Sequence, residues 1–106
     1  MLRRNRSKPD QLPTSADRGA TAIVAAQPRV AVRVEGEVTR MRARPTTGVP
    51  ALAVTISDAT GSVVAVWTGR RSIGGLTLGR HVLLDGVAVR RGQVLEFTNP
   101  AYTLLP

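Results

Sequence analysis

The 106-residue chain has no cysteine and only three aromatic residues, one each of Trp, Tyr and Phe. Without cysteine there is no disulfide, no thiolate metal site and no thiol nucleophile. No apolar run approaches the roughly 20 residues that a membrane helix needs, so we expect a soluble, cytoplasmic protein without membrane contact. His81 stands alone, and there is no acid cluster, Ser-His-Asp order or phosphate-binding loop. The sequence therefore predicts no metal, no cofactor and no enzyme.

Negative charge is also scarce. Seven acidic residues face fourteen arginines and one lysine, which gives a formal net charge of +8. Such an excess favours polyanionic partners, because each phosphate that is neutralised releases counterions. A GC-rich genome, whose codons supply arginine and alanine, would produce the same excess without any ligand. Charge alone indicates a nucleic-acid partner but leaves this alternative open.

The apolar residues are mostly Val, Ala and Leu, in short segments separated by Gly and Pro, which favours strands over helices. In residues 52–67 two alternating apolar runs flank an Asp-Ala-Thr-Gly corner at residues 58–61, a pattern typical of a β-hairpin. We expect the corner to cap its own backbone rather than to hold a metal. On the first of these strands Leu52, Val54 and Ile56 should face inward, with small residues on the outer face.

A long first strand is predicted from Arg29 onward. Four valines recur on one of its faces: Val30, Val32, Val34 and Val38. The apolar phase then slips by one residue, which predicts a β-bulge, and Gly36 offers a second point for bending. A strand of this length and curvature would serve two faces of a closed sheet.

Residues 1–28 lack a sustained apolar period, and Arg3, Arg4, Arg6 and Lys8 are interspersed there with Ser, Asn and Pro. This composition buries too little surface to offset ordering entropy, so we expect a flexible basic N-terminal segment followed by one domain over residues 29–106. The segment either follows a phosphate backbone or is a solvated tail. Within it, Ile23 and Val24 either pack against the domain or belong to a weak secretory signal.

Five predicted strands, glycines at the bends and an irregular connector over residues 68–79 describe an OB-fold, a Greek-key barrel that binds oligonucleotides. Four segments carry a family likeness as well: VEGEV at 34–38, ISDATGSV at 56–63, GRHVLLDG at 79–86 and NPAY at 99–102. They resemble the OB-fold nucleic-acid-binding family that includes the anticodon-type OB modules and the wedge domain of the RecG helicase. Residues 97–102 are the most RecG-like, and the chain is similar to small stand-alone OB proteins of actinobacteria.

The resemblance covers residues 29–106. It implies an all-β, five-stranded OB-fold barrel that binds single-stranded or structured DNA or RNA. No set of side chains suggests a base code, so binding should have weak sequence specificity and depend mainly on the phosphate backbone, with limited base stacking.

Seven residues form the candidate nucleic-acid site: Arg40, Arg42, Arg44, Trp67, Arg70, Arg71 and Tyr102. The first three alternate along one strand, about 6 to 7 Å apart at each step, which approximates phosphate spacing. The alternative is an edge strand kept soluble by charge. Trp67 and the two arginines after it offer a stacking platform with phosphate clamps, or a core indole beside solvated arginines. Phe97 is expected in the core, and Tyr102 follows a bulge-like Asn-Pro step.

A protein-interaction module of the same fold is the rival interpretation. It would dock a larger partner through the apolar outer surface of the third strand and the edge around Asn99 and Pro100. Exposed Val64 and Val66 beside Trp67 would favour this partner, because an exposed apolar patch marks a protein interface. Convergence of the arginines on one cleft would favour nucleic acid.

Overall fold

The computed structural model describes residues 17–45 and 47–106, and these residues form an all-β structure. The six strands are β1 (Ala31–Arg44), β2 (Ala51–Ser57), β3 (Ser62–Thr68), β4 (His81–Arg91), β5 (Val94–Thr98) and β6 (Ala101–Leu104). In the described part of the chain, the 3-10 turn Ile23–Ala25 precedes β1. The described residues include no helix with the length and apolar character needed to cross a bilayer.

Five of the strands close into a ring. The order is β1-β2-β3-β5-β4, and β4 pairs back onto β1. The β3–β5 pair is parallel, and the other strand pairs are antiparallel. The all-β prediction is confirmed, as is the closure of five strands.

The sheet has a sixth strand that the five-strand prediction omitted. Asn99 adopts a left-handed φ of 50°, and Pro100 has no N–H to donate to a neighbouring strand. Strand β5 pairs with β3, but the chain turns away from β3 at these two residues. It then forms β6, which pairs with the first half of β4 outside the ring.

Strand β1 closes the ring because it changes partner along its length. Residues 31–37 pair with β4 and residues 37–44 pair with β2. The register shifts between Val38 and Arg40, which confirms the predicted bulge. Before that point Gly36 lies so close to β2 that a Cβ atom there would be 2.5 Å from the Ser57 carbonyl oxygen. The ring therefore depends on a missing side chain at Gly36 as well as on the bulge.

The core fills the inside of the ring. Fully buried residues include Val34, Val38, Val54, Ile56, Val63, Val82, Leu84 and Phe97. The predicted inward positions of β2 and the core position of Phe97 are confirmed. Val30 departs from the expected face and is 53% exposed, because a left-handed turn at Arg29 (φ 68°) precedes the strand. Ile73 and Leu76 from the connector also join the core.

The chain before β1 packs onto the ring from residue 17 onward, and residues 1–16 lie outside the described part. Ile23 and Ala26 belong to the main core, whereas Val24 is 72% exposed. The backbone N–H of Ile23 donates to Asp58 Oδ2 (2.9 Å), and that of Val24 donates to Thr60 Oγ1 (3.0 Å). The 3-10 turn is thus held by the β2–β3 corner.

The corner caps its own backbone as expected. Asp58 Oδ1 accepts hydrogen bonds from the Thr60 N–H (2.7 Å), the Thr60 hydroxyl (2.6 Å) and the Gly61 N–H (3.0 Å). Partial burial acts to raise the pKa of Asp58, but the hydrogen bonds from Thr60, Ile23 and Gly61 outweigh it, and the net pKa is lowered. The ionised carboxylate is therefore the form that holds the corner.

Changing Gly36 to Ala should destabilise the protein by about 1 to 3 kcal/mol, because the new methyl group meets backbone atoms of β2. Urea denaturation measures the loss. Gly74→Ala is the matched control, since a Cβ there meets nothing within 4 Å and should leave the free energy of unfolding nearly unchanged. Equal effects of the two changes would contradict the close approach.

Changing Asp58 to Asn should cost about 1 to 2 kcal/mol at neutral pH, because the ionised acceptor is lost. The folded-state pKa is depressed, so the contribution of Asp58 is present above its unfolded pKa of about 4 and is lost as pH falls through the folded pKa. Urea denaturation at neutral and acidic pH should show the gap between wild type and variant narrowing in acid. A gap that is constant with pH would be incompatible with this role.

Candidate nucleic-acid interface

Three arginines line the outer face of β1 after the bulge. Arg40, Arg42 and Arg44 pair directly with Thr55, Ala53 and Ala51 of β2, respectively. Directly paired residues share a face of the sheet, and the intervening Met41 packs against the core instead. All three arginines are exposed. The alternation predicted from sequence thus places three guanidinium groups along one face.

Arg40 and Arg42 differ from Arg44 in their partners. Neither forms an ion pair with any residue in the described part of the chain. Arg44 reaches over β2 and β3 to Glu96 on β5, with its Nη1 3.4 Å from Glu96 Oε1. The small outer-facing residues of those two strands, Ala51, Ala53 and Val66, are buried. The outer face is therefore flat and bordered by positive charge.

Arg44 and Arg71 both line a shallow cleft of about 370 Å³. Its other lining residues include Ala43, Pro45, Pro50 and Ala51, at the β1–β2 connection. Arg70, next along the connector after β3, is exposed and does not line this cleft. The site predicted from sequence is thus assembled in part, with Arg71 beside Arg44.

Trp67 lies in the core rather than on this surface. It is 5% exposed, it pairs with the inward-facing Leu52, and its Nε1–H donates to the Pro100 carbonyl at 3.2 Å. Tyr102 packs edge-on against it, with ring centroids 5.6 Å apart. Of the two interpretations of Trp67, the core indole is the one observed, and it offers no free ring face to a base.

Tyr102 lies apart from the arginine row. Its direct partner on β4 is Leu84, a core residue, so the phenol belongs to the inward side of the sheet and not to the outer face of β1 and β2. It remains 37% exposed. The predicted site therefore divides into an outer arginine surface and an inward aromatic pair.

Two further carboxylates of the described region, one on β1 and one on β4, form ion pairs with arginines. Glu35 accepts hydrogen bonds from Arg18 Nε (2.7 Å) and Nη2, and Asp85 accepts one from Arg33 Nε (2.7 Å). These hydrogen bonds raise the pKa of both arginines, because they favour the charged form. Both pairs lie on the β1–β4 side of the ring, away from Arg40 and Arg42.

Sequence reasoning missed two residues of the outer face. Arg91 Nε lies 3.4 Å from Glu96 Oε2, so Glu96 contacts arginines from two sides. Neither residue is among the seven candidates, because Arg91 lies at the β4–β5 hairpin and the sequence alone gives Glu96 no partner. Its place between the inward Leu95 and Phe97 was a signal that it faces outward, but the identity of its partners depends on which strands flank β5.

Neither a protein-family model nor a curated protein sequence matches this chain. No group of three or more His, Cys, Asp or Glu residues that could hold a metal ion occurs in residues 17–45 and 47–106.

The single tryptophan provides a direct check on the core assignment. Because Trp67 is 5% exposed, its fluorescence emission should be blue-shifted, and iodide should quench it only weakly in the folded protein. Quenching in urea-unfolded protein supplies the reference. Quenching of the folded protein as strong as this reference would contradict the burial of the indole.

Proposed function

We propose that this protein is an OB-fold that binds nucleic acid, without catalysis, through the outer face of β1 and β2. The observation that carries the proposal is the row of Arg40, Arg42 and Arg44 on one face, in which the first two make no ion pair with a described residue. Unpaired guanidinium groups at this spacing suit successive phosphates of one strand.

The topology supports the OB-fold part of the proposal. A small ring of five strands, with a long first strand that pairs with two neighbours, is the arrangement expected of this Greek-key barrel. In OB-folds the face of strands 2 and 3, with the loops after strands 1 and 4, receives oligonucleotides. The corresponding elements here carry Arg44 at the first loop and Arg91 at the second.

Phosphate contacts dominate the proposed mechanism, since the buried Trp67 removes the strongest stacking group from the sequence-based site. Stacking on aromatic rings contributes roughly 1 to 3 kcal/mol per base where it occurs. On the outer face that role falls to arginine, whose planar guanidinium group also stacks on bases. The proposed ligand is single-stranded or structured DNA or RNA, bound with weak sequence specificity and strong salt dependence.

Docking of a protein partner on β3 has less support. Val66 is 5% exposed and Val64 is half-buried, so the strand does not offer the apolar patch that this function requires. Val87 and Val89 on β4 are exposed, but two valines cover little of the roughly 800 Å² per partner of a standard interface.

Changing Arg42 to Ala should lower the affinity for a labelled single-stranded oligonucleotide. The slope of log affinity against log salt should fall by about one, because one phosphate contact is lost. Fluorescence anisotropy at several salt concentrations measures both quantities. Arg40→Ala should behave in the same way.

Arg90→Ala is the charge-matched control. Arg90 pairs with the inward-facing Leu95 and lies near the β2–β3 corner, beside Gly61 and Ser62. The Arg90→Ala change should therefore leave the slope of log affinity against log salt nearly unchanged. If Arg90→Ala lost as much affinity as Arg42→Ala, binding would depend on net charge and not on the outer face, which would contradict the proposed site. The absence of binding by the wild type even at low salt would overturn the proposal.

A further inference from the structure

Glu96 is an unusual residue for the centre of a basic face. It is 8% exposed, and its direct neighbours across the two flanking strands are Val64 and Val89. A carboxylate among aliphatic side chains is costly unless it is paired. Its two oxygen atoms contact different arginines, Arg44 and Arg91, from the two ends of the face.

The exposure of the three side chains shows which group is free to meet a ligand. The Glu96 side chain is 10% exposed, whereas those of Arg44 and Arg91 are 43% and 66% exposed. Each guanidinium group has five N–H donors, whereas an ionised carboxylate has about four lone-pair sites to accept from both arginines together. Most of their donors are therefore available to a second anion.

A bound phosphate would gain little by displacing Glu96. Removing both arginines would leave a buried carboxylate without a partner, which is strongly unfavourable. The arginines would instead keep Glu96 on one side and contact the ligand on the other. A long side chain that is already held loses less freedom on binding, which is the advantage of a preorganised site.

From this geometry we infer that Glu96 is a positioning residue, which holds Arg44 and Arg91 as a preorganised pair for the phosphodiester backbone of a nucleic acid. The inference rests on the proposed function and adds Arg91 to the site. It makes a prediction that simple electrostatics does not. Although Glu96 is acidic, it supports the binding of an anion by acting through its two arginines.

The first test uses the free protein and needs no ligand. Nitrogen-15 relaxation of the Nε–H groups of Arg44 and Arg91, assigned from their Lys variants, should report ordered side chains in the wild type. Both should become more mobile in Glu96→Gln, while Arg33, which pairs with Asp85, stays unchanged. Unaltered order at Arg44 and Arg91 would overturn the inference.

The second test measures coupling by oligonucleotide anisotropy at low salt. Arg44→Ala should reduce the affinity of the wild type by roughly three- to tenfold, and by a smaller factor in the Glu96→Gln background, where Arg44 is no longer held. A larger factor in that background would identify Glu96 as a competitor of phosphate. Equal factors would mean that Glu96 does not act through Arg44, and either result would overturn the inference.

Two controls separate charge from position. Asp85→Asn also removes one negative charge, but from the Arg33 pair on another part of the ring, and it should show no coupling with Arg44→Ala. Glu96→Asp keeps the charge and withdraws it by one methylene, so it should also weaken binding. If Glu96→Asp binds as tightly as the wild type, the position of the carboxylate is irrelevant and the inference fails.

A failure of the proposed function can be distinguished from a failure of this inference. If the wild type binds no oligonucleotide at low salt, the nucleic-acid ligand is rejected for both proposals. The relaxation experiment would then still decide whether Glu96 orders the two arginines.

Discussion

The fold depends on the ability of β1 to pair with β4 through its first half and with β2 through its second. Two local features permit this exchange of partners. Gly36 lets the β2 backbone approach to a distance that a side chain would block, and the bulge between Val38 and Arg40 shifts the register. Without the exchange the five strands would form an open sheet with two long edges, which favour aggregation.

The same bulge determines where the charge lies. Before it, the even-numbered positions Val34 and Val38 face the core. After it, the even-numbered residues Arg40 and Arg42 face outward instead. The extra residue of the bulge exchanges the inward-facing and outward-facing positions of the strand. The geometric device that closes the ring therefore also builds the arginine row, so fold and candidate function share one structural cause.

The outer face combines a flat surface with positive charge at its borders. Ala51 and Ala53 have small side chains, which keep the surface flat. Arg44 and Arg91 contact Glu96 from opposite ends of this face. The aromatic groups Trp67 and Tyr102 pack against each other on the inward side of the sheet. Under the proposed function, this separation would favour contacts with the phosphate backbone over contacts with bases.

The sequence by itself determined the local features: the strand alternation, the bulge after Val38, the self-capped corner at Asp58 and the core position of Phe97. Each depends on neighbours within a few residues, and the period-two pattern reports such neighbours directly. Only the tertiary structure decided the burial of Trp67, because both faces of β3 are apolar and periodicity cannot distinguish them. The Arg44–Glu96 contact and the packing of Ile23 also required it. The Arg44–Glu96 and Ile23–Asp58 contacts join residues more than 30 positions apart, and the first depends on the parallel placement of β5 beside β3, which no local pattern encodes.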